Sequence, residues 1–419
     1  MRKDDYRNIL GKLNAYSLLS VAFLIPFHSF LNRYLLGVFV VSSIILYILQ
    51  PVSIQLKKHK GLICLFFLFF IYAVSFFYSI NLNLAWIDLE KKLPLLLVPL
   101  ALIIVKPDRI RMNQLYWAFL TGVLAVTLIC AGSFIFRTIS DAHFHRVLTN
   151  HPFYQMYSKF YIFGNVNYYA VYLNMAVLLM LGMLASSSYQ TRDKRIKWFL
   201  YFGLILFLSL SMIISSRSGI IAVVILLMFS VFYLIKLRYF RLVSLVLLVL
   251  AGLYIARNYR FNNYIQLFDR MIHSAEQISE KELLEKSVLR LIFWKASTRI
   301  IGEKVWFGVG TGDVKYQIKA AYKDMGVYEE LHENDDPHNQ FLRTFIATGI
   351  PGFLALIGIF LYGFLRGIKS RDYLLLAFMI LIVIHFIFKS MLFRENGVVF
   401  FSFFYGLLYT ANIPENPEN

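Results

Sequence analysis

Acidic residues are scarce in this chain. It carries 24 Asp and Glu against 42 Lys and Arg, and charged residues of both signs reach only 16%, where a soluble domain carries about a quarter. Cysteine is nearly missing: Cys64 and Cys130 both lie inside apolar runs. That argues against a disulfide framework, and neither thiol has a metal-ligand partner nearby in sequence. The N-terminal stretch MRKDDYRNILGKLNAYS has acids and lacks a small-residue cleavage site, so the first apolar run reads as a retained helix and not as a signal peptide. Walker and Rossmann loops, internal repeats and low-complexity tracts are all missing.

What is abundant is apolar surface. The 419 residues are 59% hydrophobic and 17% aromatic, with 40 Phe and 27 Tyr, and the mean hydropathy is +0.63. Lipid-facing helices and interfacial aromatic belts use such a composition; a soluble core does not need it. The net charge of +18 does not point to nucleic acid, because the basic residues sit in short loops between apolar segments, as in cytoplasmic loops of membrane proteins.

A spanning helix takes roughly 20 apolar residues. Twelve segments qualify: 14–31, 34–50, 61–80, 93–106, 115–136, 167–187, 197–214, 218–235, 240–256, 341–365, 372–391 and 397–412. The fourth is short and begins at Pro94; it is either tilted or extended backwards through Trp86 and Leu89. Alternate loops are rich in base, beginning with Arg2, Lys3, Arg7 and Lys12, then Lys57, Lys58 and Lys60, then Lys106, Arg109 and Arg111. The intervening short loops hold only Arg33, then Lys91 and Lys92, then Arg217, then Arg394 with nearby Lys389. This alternation predicts that both termini are cytoplasmic.

The expected fold class is therefore all-α: a polytopic membrane helix bundle of about twelve spans with a large, partly helical outer loop. Residues 1–256 hold nine spans, 257–340 the outer loop, 341–412 three more spans, and 413–419 a tail, IPENPEN, that reads as a short disordered end. A second outer loop covers 137–166. Within the larger loop, Leu284, Val288, Leu291 and Ile292 recur at helical spacing, which predicts amphipathic helices on or over the bundle.

Several polar residues stand out. Arg217, in IISSRSGIIAV, sits at a membrane edge with almost no loop around it. Such a charge is a functional hypothesis by default, against the plainer reading of an arginine snorkelling to the interface. His338 lies at the start of an apolar run, in DDPHNQFLRTFIATGIPG. Pro337 suits a first helical turn and Asp336 a cap. The imidazole is either a general base or a helix cap. Arg290 and Trp294 share a helical face; the arginine suits phosphate, while stacking on the indole is the ordinary alternative.

The segment VWFGVGTGDVKY, with Gly308, Gly310 and Gly312, reads as a tight turn. Glu395 beside Arg394 reads as a surface ion pair. His332, Glu333, Asp335, Asp336 and His338 do not have the H-E-x-x-H spacing of a zinc helix, so no metal site is assigned. His143, His145 and His151 read as solvated loop residues. Arg217, Arg290, His338 and Glu395 all fall on the outer side. Two guanidiniums, an imidazole and a carboxylate suit an anionic phosphate substrate and one proton transfer.

Four segments, SSRSG (215–219), RLIFW (290–294), FGVGTGD (307–313) and PHNQFLRTFIATGIPG (337–352), resemble the O-antigen ligase and O-antigen polymerase superfamily of bacterial envelope enzymes. The resemblance covers the C-terminal half and rests on motif order and spacing. It implies a GT-C-like inverting glycosyltransferase of the bacterial inner membrane, with a periplasmic active site and neither ATP, metal nor other cofactor. The donor would be a glycan on undecaprenyl pyrophosphate. The acceptor would be a lipid A-core sugar for a ligase, or another glycan for a polymerase, which is the alternative reading. By the same resemblance His338 is the general base, Arg217 and Arg290 hold the pyrophosphate, and Asn339, Gln340, Trp294 and Glu395 support the site. A polysaccharide transporter is disfavoured, since repeated halves and matching broken helices are not found in the sequence. A structural membrane subunit would have no use for the outward Arg and His set.

Overall fold

The computed structural model describes residues 3–27, 31–51, 55–107, 109–140, 160–186, 194–214, 217–234, 286–325, 336–411 and 413. Among them are fourteen α-helices and no strand. In chain order these are α1 (Lys3–Leu24), α2 (Leu31–Leu49), α3 (Lys60–Phe77), α4 (Leu82–Lys92), α5 (Pro94–Ile104), α6 (Arg109–Ser140) and α7 (Val166–Ala185). They continue with α8 (Lys194–Ile214), α9 (Arg217–Leu234), α10 (Lys286–Glu303), α11 (Val314–Asp324), α12 (Gln340–Ser370), α13 (Tyr373–Phe388) and α14 (Glu395–Ala411).

Eleven of the twelve expected spans coincide with these helices; the twelfth, 240–256, lies outside the described residues. Among the described residues, seven helices are long and apolar enough to cross a membrane, and α9 and α13 are shorter apolar helices. The fourth span is two helices: α4 and α5 follow one another with a break at Leu93, so the segment does reach back through Trp86 and Leu89. Pro94 stands at the first turn of α5, where its missing N–H costs nothing.

Every side of α7 is covered. It is 78% buried, against 22% for α8, so α7 is central and α8 peripheral. Helix α14 is likewise buried along nearly its whole length. The exposed apolar side chains, such as Phe77, Trp198 and Phe202, then have lipid to face.

With no hydrophobic drive between helices in lipid, packing and buried polar contacts hold them. Asn14 of α1 donates to the Phe39 carbonyl and to Ser42 and Ser43 of α2. Asn174 of α7 accepts from Ser211 of α8 at 2.6 Å and donates to the Gly219 carbonyl of α9 at 3.3 Å. Thr127 of α6 meets Tyr169 of α7, and Ser230 of α9 meets Tyr373 of α13.

Loops expected on one side of the membrane meet at one end of the bundle. Arg366 donates to the Lys58 carbonyl and Lys106 to that of Ile413. At the opposite end Arg33, Glu90 and Glu395 form one ion cluster.

Candidate functional site

At that second end, α12 is broken. Gly349 has φ 66° and ψ −157° inside the helix, and Pro351 follows two residues later. Proline cannot donate to the carbonyl four residues back, so Ala347 loses its helical partner. The glycine-bearing part of the expected tight turn, VWFGVGTGDVKY (305–316), fills the gap. Val309 N donates to Ile346 O at 2.8 Å, Gly310 N to Ala347 O at 3.1 Å, and Ile350 N to Val305 O at 3.0 Å. Gly308 and Gly349 both have positive φ and press against the opposing backbone. Two sequence motifs thus form one backbone-bonded joint.

The same turn also ties down the start of α4. Asp313 accepts from the backbone N–H groups of Ile80 at 2.6 Å and Asn81 at 3.0 Å, and Gly312 N donates to Ser79 Oγ. Thr311 donates to Asp88 of α4. Asp88 is in turn paired with Lys92, and both are buried. The Lys92 ammonium lies 4.3 Å from the centre of the Tyr72 ring. Tyr72 donates to Thr344 of α12 at 3.1 Å. A buried charge pair is tolerated only with such supplementary partners.

His338 stands just before α12. Its backbone is left-handed, with φ 51°, a conformation uncommon outside glycine and concentrated at functional sites. Its Nδ1 lies 3.2 Å from Asp336 Oδ2, and its ring lies tilted at 49° to that of Phe293 of α10, 5.5 Å between centres. The imidazole is partly open, at 31% exposure. Asp336 is also held by Arg343, 3.1 Å away. Burial raises the Asp336 carboxyl, but the His338 hydrogen bond and the Arg343 charge outweigh it and lower the group to about 2. Arg343 stacks 3.7 Å from the Phe393 ring centre.

The helix is capped otherwise than the sequence predicts. Asn339, not Asp336, is the N-cap: its side chain accepts from Phe341 N and Leu342 N. Pro337 therefore precedes the helix, and Asp336 is left free to hold His338 and Arg343. Gln340 donates to Thr344 at 2.9 Å and accepts from Leu392 N at 2.7 Å. It ties the helix mouth to the short turn Met391–Phe393. Glu395 pairs across the bundle with Arg33 and not with its neighbour Arg394. Lys92, expected in a loop, is part of a helix and buried.

The structure brings His338, Asn339 and Gln340 together with α10. Trp294 of α10 is partly buried, and its Nε1 meets no acceptor among the described residues. Arg290 lies on α10 within one turn of Phe293, and Arg217 opens α9, whose start is pinned to α7 through Gly219. The side chains of Arg217 and Arg290 lie outside the described structure. So do His143, His145, His151, His332, Glu333, Asp335, Ser215, Ser216, Leu284, the tail 414–419, most of the outer loop 137–166, and residues 257–285 and 326–335 of the larger one.

The sequence reading missed Asp88, Lys92, Arg343 and the bridging role of Asp336. A signal was present for Arg343, a full charge near the start of an apolar run, where charges are expensive.

Fold and site together define a polytopic helical membrane protein with a buried ionic network and a poised histidine at one end. Residues 202–357 match the family model described as Wzy_C, O-antigen ligase. Over that segment the chain is similar to the O-antigen ligase and polymerase superfamily, which bears out the resemblance and implies a ligase- or polymerase-type function. A search of curated proteins returned no significant match.

Proposed function

We propose that this chain is an O-antigen ligase-type glycosyltransferase, moving a glycan from undecaprenyl pyrophosphate to a sugar of the lipid A core. One observation carries the reading: His338 sits at the helix mouth with Nδ1 on a carboxylate that Arg343 fixes from its other oxygen. With Nδ1–H donated to Asp336, Nε2 keeps its lone pair and takes the proton of the attacking hydroxyl. The acceptor oxygen forms its bond to the anomeric carbon as the bond to pyrophosphate breaks, inverting that carbon. Asp336 stabilises the imidazolium. Arg217 and Arg290 neutralise the leaving pyrophosphate through charge-assisted bonds.

The activated sugar–phosphate bond supplies the free energy, so this mechanism uses neither nucleotide nor metal. Asn339, Gln340 and Trp294 shape the mouth of the site, and Glu395 anchors Arg33 beside it. The site faces the periplasm of a GT-C-like inner-membrane protein with both termini cytoplasmic. The family match supports a ligase and a polymerase of the same superfamily alike, so the polymerase is the alternative reading.

The test is complementation of a ligase-null and a polymerase-null host in parallel. Restored core capping in the first, with no chain-length ladder in the second, is the expected result. Restoration of the ladder alone makes the protein a polymerase. Reporter fusions should read cytoplasmic in 191–197 and periplasmic in 257–340; a cytoplasmic signal from the second overturns the topology.

A further inference from the structure

A groove of about 280 Å³ opens between α2, the α4–α5 break and α14. Its walls are apolar, among them Leu36, Leu97 and Val399, while Arg33, Glu90, Lys91 and Glu395 line it as well. Two cations and two carboxylates line the groove, and the carboxylates both turn to the same cation. Arg33 is taken up by both carboxylates, Glu90 and Glu395. Lys91 pairs with no carboxylate among the described residues, and neither does Arg394. Both cations gather on one phenyl ring: Lys91 lies 5.7 Å and Arg394 5.3 Å from the centre of Phe393. Arg343, which holds Asp336, stacks on that same ring. The groove is thus amphiphilic, and with Arg394 beside it on the Phe393 ring its polar end carries three cations against two carboxylates, one aromatic ring away from the His338 cluster.

We propose that this groove seats the lipid end of the acceptor: a phosphate-bearing lipid whose phosphate rests on Lys91 and Arg394 and one of whose acyl chains runs along Leu36, Leu97 and Val399. The proposal rests on the transferase reading, which needs two lipid-anchored substrates at one histidine. Arg217 and Arg290, the candidate pyrophosphate ligands, belong to α9 and α10. The groove is built from other helices and reaches the site through Phe393. Basic side chains at a membrane surface favour anionic lipid, and a small groove takes one chain and not a whole multi-chain lipid.

Gly37 allows a clean test. It lines the groove, and a Cβ built on it meets nothing within 4 Å, so a side chain can start there without a clash and Gly37→Phe puts a phenyl ring into the groove. Gly132→Phe, at another open helical position, is the control. The full chain in nanodiscs is offered phosphatidate, diacylglycerol with the same chains, or inorganic phosphate, and retained lipid is read by native mass spectrometry.

The wild type should retain phosphatidate about tenfold over diacylglycerol. Lys91→Ala with Arg394→Ala should erase that preference, Gly37→Phe should lose both lipids, and Gly132→Phe should match the wild type. In transfer assays Gly37→Phe should raise KM for the lipid acceptor and leave KM for the donor and kcat unchanged. No preference in the wild type, wild-type retention by both groove variants, or full displacement by inorganic phosphate would each overturn the proposal. Lipid retention as expected in a protein that transfers no glycan would leave the groove standing and sink the transferase reading instead.

Discussion

The backbone N–H of Gly310 donates to the carbonyl of Ala347 at 3.1 Å, the acceptor that Pro351 leaves without its helical donor. Broken helices occur at membrane depth only where other protein groups satisfy the freed backbone. Here the turn that does so also carries Thr311 to Asp88 and Asp313 to the start of α4. The break in α12 and the start of the short helix α4 are therefore held by one joint.

That joint depends on two glycines. A Cβ at Gly308 would lie 2.4 Å from the Ile346 carbonyl oxygen, and one at Gly349 would lie 2.3 Å from that of Trp306. Gly308→Ala and Gly349→Ala should each destabilise the protein by about 1–3 kcal/mol through strain. Thermal unfolding in detergent reads this, with Gly302→Ala, which meets nothing within 4 Å, as the reference. Melting curves identical to that reference would show that the joint is not needed.

Asp336 and His338 should separate into positioning and chemistry. His338→Ala should abolish transfer with membrane insertion intact. Asp336→Asn should keep the protein inserted but lower kcat by about 10²–10⁴, with little change in KM. Normal kcat in Asp336→Asn would remove the carboxylate from the mechanism.

Arg217→Ala and Arg290→Ala should likewise abolish transfer without loss of insertion. Arginine-to-lysine changes should rescue poorly, because bidentate phosphate contacts need the guanidinium fork. Full activity in either lysine variant would mean that a point charge suffices.

The buried pair Asp88–Lys92 should behave asymmetrically. Lys92→Met alone leaves a buried carboxylate and should cost about 3–5 kcal/mol. Combining it with Asp88→Leu should recover most of that loss. A double variant no more stable than the single would assign the pair a role beyond charge compensation.

Acid stability follows from Asp336. Its carboxyl is held down at about 2 in the folded protein, below the unfolded value near ~3.9. The group therefore contributes stability above the unfolded value, and that contribution is lost as pH falls from about 4 through about 2. Asp336→Asn should flatten the pH dependence of the melting temperature in that window. An unchanged slope there would contradict the depressed value.

Much of the bundle was legible without coordinates. Eleven of the helices were readable because an apolar helix in lipid must supply its own apolar surface and satisfy its own backbone hydrogen bonds. The turn within VWFGVGTGDVKY was readable from its glycines, and His338 from its place at the edge of an apolar run. Asp336 was misread as a cap because Asp and Asn are nearly equivalent N-cap residues, and only the chain path shows that Asn339 takes the position. Glu395 was matched to its sequence neighbour, Arg394.

The sequence by itself determined that the chain is a helical membrane bundle and which residues flank its ends, because hydropathy and charge act locally along the chain. Tertiary structure decided which charges meet. Arg33 and Glu395 lie 362 positions apart, and Asp88 is linked to Thr311 across 223. No local pattern encodes such pairings; they arise when helices pack and buried charges must find partners among whatever side chains that packing brings near.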